Sequence, residues 1–179
     1  RTSTHIHMNV QQEKMIDVIG CLVTFAAIEP LFLHLCGPHR DGNSFCSPSF
    51  DSGDLSRWVH DLGEFFFRPN LTDYDFPHRG KYASFGTNRL HDLGTIECRT
   101  FPCSVDPDVI QTWCNWLMNL KNFVRGQEDK SFRQTIKLGL HDPMALVTSI
   151  FGAVPESRYL ASELVEYGCQ EAYELTRIL

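Results

Sequence analysis

The stretch Gly94-Thr95-Ile96-Glu97-Cys98-Arg99-Thr100-Phe101 has the composition of a β-strand, because Thr, Ile, Cys and Phe suit a pleated, half-buried surface. Successive side chains of a strand alternate between its faces, so one face would carry Thr95, Glu97, Arg99 and Phe101 and the other Ile96, Cys98 and Thr100. We expect the strand to end at Pro102, which cannot donate to a sheet ladder. Taken alone, this stretch is equally compatible with a surface strand that carries one ion pair.

A second alternating stretch, Thr4-His5-Ile6-His7-Met8-Asn9-Val10, lies near the start of the chain. His5 and His7 would share one face, with the apolar residues on the other. If both strands belong to one sheet, these imidazoles meet the carboxylate and guanidinium of the first stretch. Such a set could hold a divalent cation and an anionic substrate. The alternative is a strand whose histidines simply face solvent.

Composition limits the classes of function. The 179 residues are 42% hydrophobic, as in ordinary globular proteins, and a formal net charge of −6 argues against a nucleic-acid-binding protein. The seven cysteines are odd in number and form no Cys-x-x-Cys pair, which favours reduced thiols in a cytoplasmic protein over a disulfide scaffold or a zinc ribbon.

One segment, 18–36, is nearly all apolar and has the length of a membrane span. Glu29 and Pro30 interrupt it near the middle. A carboxylate is costly at bilayer depth, and proline removes a helical hydrogen bond. We therefore expect a buried helix over about 12–35 and no membrane association, followed by a polar loop that contains Arg40.

The remaining segments predict a hairpin and further helices. A helix is expected over 51–67, and a strand over 81–88 with an irregularity at Gly86 would turn through 89–93 into the strand of Glu97. The hairpin would bring Lys81 and Arg89 towards that strand. Asp106-Pro107 signals a helix start, and helices are expected over 131–138, 142–151 and 156–178. The apolar stripe of the last helix would include Leu160, Leu164, Tyr167, Tyr173 and Leu175.

These residues resemble a known family. Thr4-His5-Ile6-His7 resembles the Gly/Ser-x-His-x-His strand of the carboxylate–amine ligases related to glutamine synthetase and glutamate–cysteine ligase. Gly94-Thr95-Ile96-Glu97-Cys98-Arg99 resembles the G-T-[IV]-E-[FC]-R strand of the amidoligase branch. The order of the segments matches over residues 1–125. Further positions that fit this branch are Arg40, Cys46, Tyr82 and Asn88.

The resemblance implies an α+β fold, in which a curved antiparallel sheet of glutamine synthetase-like type packs against helices. Residues 1–125 would form the catalytic region, and 126–179 a helical extension of the same domain. The implied activity is ATP-dependent joining of a carboxylate to an amine through an acyl phosphate. Its substrates would be small molecules or peptides that carry those groups, and a homo-oligomer would be compatible with the family.

The resemblance also assigns roles to residues. His5 and Glu97 would hold Mg²⁺ or Mn²⁺, Arg99 would bind the transferring phosphate of ATP, and His7 would line the nucleotide or the substrate. Weaker candidates for phosphate or carboxylate contacts are Arg40, Lys81 and Arg89. Since the opposite face of the strand supplies the packing, Glu97 is expected to matter for chemistry more than for folding.

One family feature is absent. The first strand of these ligases, ahead of the histidine strand, supplies a Glu-x-Glu pair for the metals, and these residues contain no such strand. We expect either an upstream segment or a site that cannot hold the full metal cluster. Two alternatives remain: a non-catalytic binding or structural protein that keeps the fold, and an acyl transferase that uses Cys98 or Cys103. Because side chains alternate between the faces of a strand, Cys98 would lie on the face opposite to the histidines, which counts against the acyl transferase.

Overall fold

The computed structural model describes residues 3–40, 43–51, 82–127, 132–152 and 158–176. Within them, a small antiparallel sheet packs against a set of helices, so the fold is mixed α and β. The helix expected over 51–67 and the candidate residue Lys81 lie outside the described residues.

The sheet has three strands, β1 (Ile6–Asn9), β2 (Phe85–Gly86) and β3 (Thr95–Cys98), in the order β1-β3-β2. Both outer strands run antiparallel to β3, and both His7 and Gly86 are register partners of Glu97. The strand expected over 81–88 is thus reduced to two residues. Gly86 pairs within the ladder, so the irregularity expected there is wrong.

A single helical turn, α2 (Leu90–Leu93), connects β2 to β3. Gly94 ends it in the left-handed conformation at φ 63°, where its N–H donates to the Leu90 carbonyl. A β-carbon at Gly94 would also overlap the side chain of Gln11. Glycine is therefore required at this corner on two grounds, conformation and space.

The regular ladder ends at Cys98 and does not extend to Pro102 as expected. Beyond it, the Arg99 N–H donates to the Ser84 carbonyl at 2.7 Å, and Pro102 forms only an isolated bridge with Ser3. The alternation predicted for this stretch also fails at Phe101. Its ring is fully buried and packs against the rings of Phe32 and Trp113, so it does not belong to the face of Glu97.

Helix α1 (Met15–Cys36) runs through the centre of the protein. Its length and mean hydropathy of 2.0 would suffice for a membrane crossing, but 83% of the apolar window is buried inside the protein. The helix continues through Pro30. The prediction of a buried helix is confirmed, and Phe25 stacks on Phe85 of β2, which anchors the sheet to α1.

Helix α3 (Pro107–Arg125) begins as the sequence predicts. The Asp106 carboxylate accepts hydrogen bonds from the N–H groups of Asp108 and Val109, which have no partner within the helix. The buried face of α3 consists of Trp113, Leu117, Leu120 and Val124.

Three further helices complete the core: α4 (Phe132–His141), α5 (Pro143–Phe151) and α6 (Arg158–Thr176). Helix α6 crosses α1 closely, because a β-carbon at Gly168 would overlap the Ala27 carbonyl oxygen. The expected stripe on α6 is wrong at Tyr167 and Tyr173, which are 56% and 47% exposed. Small residues occupy buried positions of α6 instead, and Gly168 lies against Ala27 of α1; the buried positions are Ala161, Val165, Gly168, Cys169 and Ala172.

Candidate active site on the face of the sheet

The predicted convergence of ionisable side chains on one sheet face is observed. The register pairs His7 with Glu97, which puts their side chains on the same face. His5 Nδ1 lies 2.7 Å from Glu97 Oε1, His7 Nε2 lies 3.8 Å from the same oxygen, and Arg99 Nη2 lies 2.6 Å from Glu97 Oε2. Glu97 is therefore the centre of a cluster that contains two imidazoles and one guanidinium.

Burial divides this cluster into an inner and an outer part. The side chains of Glu97 and Arg99 are 4% and 10% exposed, whereas those of His5 and His7 are 37% and 36% exposed. The ion pair therefore lies at the base, and the histidines face solvent above it. This burial bears on the expectation that Glu97 matters for chemistry more than for folding: loss of one partner would leave the other charge buried and unpaired, so Glu97 should contribute to stability as well.

Among the described residues, the Nε atom of Arg99 is a buried donor that has no hydrogen-bond partner. Buried polar groups are nearly always hydrogen-bonded, so this donor could serve an acceptor that comes from outside the described residues. An oxygen of a phosphate or a carboxylate fits such a guanidinium donor. Arg99 thus combines a fixed ion pair with capacity for one more contact.

Hydrogen bonds orient both histidines. His5 Nε2 lies 2.9 Å from the Ser3 hydroxyl oxygen, while Nδ1 faces Glu97. His7 Nδ1 lies 2.9 Å from the Thr95 hydroxyl oxygen, and its Nε2 faces the carboxylate. Ser3 was not predicted as a site residue, although its position two residues before His5 was a signal for it, since strand parity gives both residues one face.

The fit of this cluster to a divalent cation is incomplete. In the part of the chain that the structure describes, no group of three or more His, Cys, Asp or Glu side chains is arranged to hold a metal ion. His5 and Glu97 could contribute one imidazole nitrogen and one carboxylate oxygen. A site for Mg²⁺ or Mn²⁺ at this position would need further oxygen donors.

Arg40 does not join the cluster through its side chain. It is 5% exposed, and its Nε donates to the Thr100 carbonyl at 2.8 Å while Nη2 donates to the Arg99 carbonyl. Both hydrogen bonds satisfy main-chain oxygens just beyond β3. Arg40 thereby acts as a clamp that holds the end of the strand. Since these donors contact main-chain oxygens, the geometry does not favour the predicted role of Arg40 as an anion contact.

Arg89 is also apart from the cluster. Its side chain is 47% exposed, and Nη1 lies 3.5 Å from Asp92 Oδ2 within α2. The register places Gly86, and not Arg89, opposite Glu97. The third weak candidate, Lys81, lies outside the described residues.

A second polar site, Glu29 on α1, was missed as a functional candidate. Its carboxylate is 1% exposed and accepts hydrogen bonds from the Ser49 N–H at 2.8 Å, from the Ser49 hydroxyl at 3.3 Å, and from the Ser84 hydroxyl. Burial raises the pKa of Glu29 to about 7, although these hydrogen bonds oppose the shift. The only sequence signal was a carboxylate within an apolar run.

Glu29 also borders the larger described cavity, of about 710 Å³. Its walls come from α1, the loop after it and α6, and include Leu33, His34, Phe50, Leu164 and Tyr167. The cavity is separate from the cluster at Glu97, since the two share no lining residue.

All seven cysteines are free in the structure. Cys98 is fully buried on the core face, and burial raises its pKa to about 12. A thiol that stays protonated at neutral pH is a poor nucleophile, so an acyl transferase that uses Cys98 is not supported. Cys103 is exposed.

No family model, no curated protein and no solved structure matches this chain. The resemblance to the amidoligases therefore rests on the motif residues alone.

Proposed function

We propose that the chain carries the active site of a cytoplasmic ATP-dependent ligase that joins a carboxylate to an amine through an acyl phosphate. The carboxylate would belong to an amino acid or a peptide. The observation that carries the proposal is the convergence of His5, His7 and Arg99 on the buried carboxylate of Glu97. A guanidinium, a carboxylate and two imidazoles on one face of an antiparallel sheet are the set that the resemblance implies.

Arg99 would bind the transferring phosphoryl group. Its Nε donor is buried and has no partner in the described part of the chain, and its Nη2 is held by Glu97, so the guanidinium is fixed before a ligand arrives. Preorganised donors aimed at developing negative charge account for much of the catalysis in phosphoryl transfer. His7 is half-exposed above the pair and would contact the nucleotide or the substrate.

His5 and Glu97 would bind the cation. When bound, Mg²⁺ or Mn²⁺ with ATP would supply charge neutralisation and the phosphoryl group. The two residues are an incomplete ligand set, because the described part of the chain has no group of three or more such side chains. The family supplies the missing carboxylates from a Glu-x-Glu strand, so the proposal requires acidic residues outside the described ranges.

The test is Mg²⁺-dependent ADP release by the full-length protein with pairs of amino acids. His7→Gln is the informative variant, since its half-exposed side chain can change without breaking the buried ion pair. His91→Gln is the matched control, because His91 is exposed on α2. We expect ADP release at subsaturating ATP to fall by about tenfold or more in His7→Gln, because a contact to a charged group contributes roughly 1.5–3 kcal/mol, and to be unchanged in His91→Gln. Equal rates in all three proteins would contradict the proposal.

A second candidate is a non-catalytic binding or structural protein that retains the ligase fold, with a homo-oligomer as one form of assembly. It is favoured by the completeness of the Glu97 contacts: one oxygen faces His5 and the other pairs with Arg99. A carboxylate with these contacts can stabilise the fold without binding a cation. Oligomerisation that is independent of ATP, in a protein that does not bind nucleotide, would favour this candidate over the ligase.

A further inference from the structure

Ser3, His5 and Glu97 form a continuous series of polar contacts. The Ser3 hydroxyl oxygen lies 2.9 Å from His5 Nε2, and His5 Nδ1 lies 2.7 Å from Glu97 Oε1. The two ring nitrogens of one imidazole thus contact a hydroxyl on one side and a carboxylate on the other. This is the arrangement of a nucleophile, a base and the group that orients the base.

The carboxylate decides which ring nitrogen of His5 carries the proton. Glu97 pairs with Arg99 at 2.6 Å, and a carboxylate in an ion pair presents only acceptor oxygens. With Nδ1 at 2.7 Å from such an oxygen, the tautomer of His5 that suits this contact carries its proton on Nδ1. In the neutral imidazole, Nε2 is then the acceptor, and the Ser3 hydroxyl donates to it.

The backbone holds Ser3 in place and leaves it accessible. Ser3 forms a bridge with Pro102, and the next residue, Thr4, donates its N–H to the Phe101 carbonyl at 3.2 Å. Ser3 itself is half-buried, and the His5 side chain is 37% exposed. A substrate can reach both groups from solvent, while Glu97 stays at the base, 4% exposed.

We propose that Ser3 is a nucleophile and His5 its general base, with Glu97 as a positioning residue, and that this site cleaves carboxylic esters. An ester is favoured over an amide as the substrate because an alkoxide is the better leaving group. The His5 side chain is also partly exposed to the solvent, which supplies the water for the second half of the reaction.

The steps balance with water as the only co-reactant. The Ser3 oxygen attacks the ester carbonyl carbon as its proton moves to His5 Nε2, and a C–O bond forms. The bond to the alcohol then breaks, and His5 returns the proton to the leaving oxygen, which gives an acyl-serine and a free alcohol. In the second half, His5 takes a proton from water, the water oxygen attacks the acyl carbon, and the Ser3 oxygen leaves with that proton.

This activity does not rest on the ligase proposal. It needs no ATP and no metal, and it uses His5 as a base. A cation held between His5 and Glu97 would replace the direct contact between them, so the two uses of His5 exclude each other at any one moment. Assays in EDTA without nucleotide therefore report on the ester site alone, whatever the outcome for ADP release.

The experiment has two readouts in the full-length protein. The first is hydrolysis of p-nitrophenyl acetate in EDTA, and the second is mass-spectrometric location of the residue that a fluorophosphonate modifies. We expect the label on Ser3. Hydrolysis should fall by about 10²-fold in Ser3→Ala and in His5→Gln, since general-base catalysis contributes about 10²–10⁴-fold.

Ser149→Ala and His91→Gln are the matched controls, because both residues are exposed, Ser149 on α5 and His91 on α2. Neither substitution should change the rate or the labelling. A label that appears elsewhere than Ser3, or Ser3→Ala with more than half of the rate, would overturn the proposal, as would a wild-type protein that neither hydrolyses the ester nor takes the label.

Glu97 is tested by Glu97→Asp, which keeps the charge beside Arg99 but draws the carboxylate back from His5. We expect slower labelling of Ser3 and a lower kcat for ester hydrolysis with KM unchanged, because a more distant carboxylate orients the His5 ring less firmly. Labelling at an unchanged rate together with an unchanged kcat in a folded Glu97→Asp protein would remove Glu97 from the proposal. If this variant does not fold, the Ser3 and His5 variants still decide the activity.

Discussion

The carboxylate of Glu29, in the middle of α1, accepts a hydrogen bond of 2.8 Å from the Ser49 N–H. The Ser84 hydroxyl, just before β2, donates to the same carboxylate. One buried side chain thereby joins the central helix, the loop after it and the sheet. The ionisation of Glu29 should consequently affect the stability of the whole fold.

The first prediction concerns this pH dependence. Because burial raises the pKa of Glu29 from 4.5 to about 7, the folded protein binds this proton more tightly than the unfolded chain does. The contribution is fully present below about pH 4.5 and is lost as the pH rises through about 7. We expect it to lower the free energy of unfolding by about 3 kcal/mol across that interval.

The measurement is urea unfolding at several pH values between 5 and 8, roughly the interval over which Glu29 titrates, in wild type, Glu29→Gln and Glu163→Gln. Glu163 is exposed on α6 and serves as the matched control. The difference between wild type and Glu29→Gln should change with pH in the stated direction. A difference that is constant with pH would show that Glu29 titrates as an ordinary surface carboxylate.

The second prediction concerns the crossing of α1 and α6. Gly168→Ala would place a methyl group against the Ala27 carbonyl, and backbone atoms cannot move aside as a flexible side chain can. We expect a loss of about 1–3 kcal/mol in the free energy of unfolding. Gly126→Ala is the control, because Gly126 has helical angles of φ −74° and ψ −10° that alanine also adopts. Equal stability of the two variants in urea would contradict the close crossing.

The third prediction concerns Arg40 as a clamp. The planar guanidinium of Arg40 donates to the carbonyls of Arg99 and Thr100, and a lysine ammonium cannot reproduce that geometry. Arg40→Lys should lower the free energy of unfolding by about 1–3 kcal/mol, the cost of an unsatisfied buried acceptor. Arg133→Lys, at an exposed position on α4, should melt like wild type. If Arg40→Lys is as stable as wild type, the guanidinium of Arg40 is not needed to hold the end of the strand.

The fourth prediction concerns thiol reactivity. Burial raises the pKa of Cys21, Cys36, Cys98 and Cys169 to about 12, whereas Cys103 is exposed. In the native protein, a disulfide reagent should react fast with Cys103, and Cys103→Ser should remove that phase. All seven thiols should react once the protein is unfolded. Fast native reaction of a buried thiol would indicate that the core opens locally.

The sequence predicted the shared face of His5, His7 and Glu97 because strand parity is a local property. The same rule failed at Phe101, where the ladder had already ended at Cys98 and the ring turned to Phe32 and Trp113. Parity holds only as long as the hydrogen-bonded ladder does. Nothing in the local pattern indicates where the pairing stops.

Contacts between residues that are far apart in the chain could not be predicted from the local sequence pattern. Arg40 lies in a polar loop, which is typical of a solvated charge, yet it clamps carbonyls about sixty residues away. Helical periodicity likewise predicted an apolar stripe on α6 through Tyr167 and Tyr173. The contact with α1 instead selects small side chains, and the reason, the Ala27 carbonyl under Gly168, belongs to a different helix.

The fifth prediction is the most direct test of the ligase account: calorimetric titration of the full-length protein with ATP in the presence of Mg²⁺. We expect one saturable site whose affinity falls about tenfold or more in His7→Gln, because a contact to a charged group contributes roughly 1.5–3 kcal/mol. The exposed control His91→Gln should bind like wild type. A wild-type protein that takes up no nucleotide, or a His7→Gln protein with unchanged affinity, would contradict the assignment of an ATP-dependent ligase site to the face of Glu97.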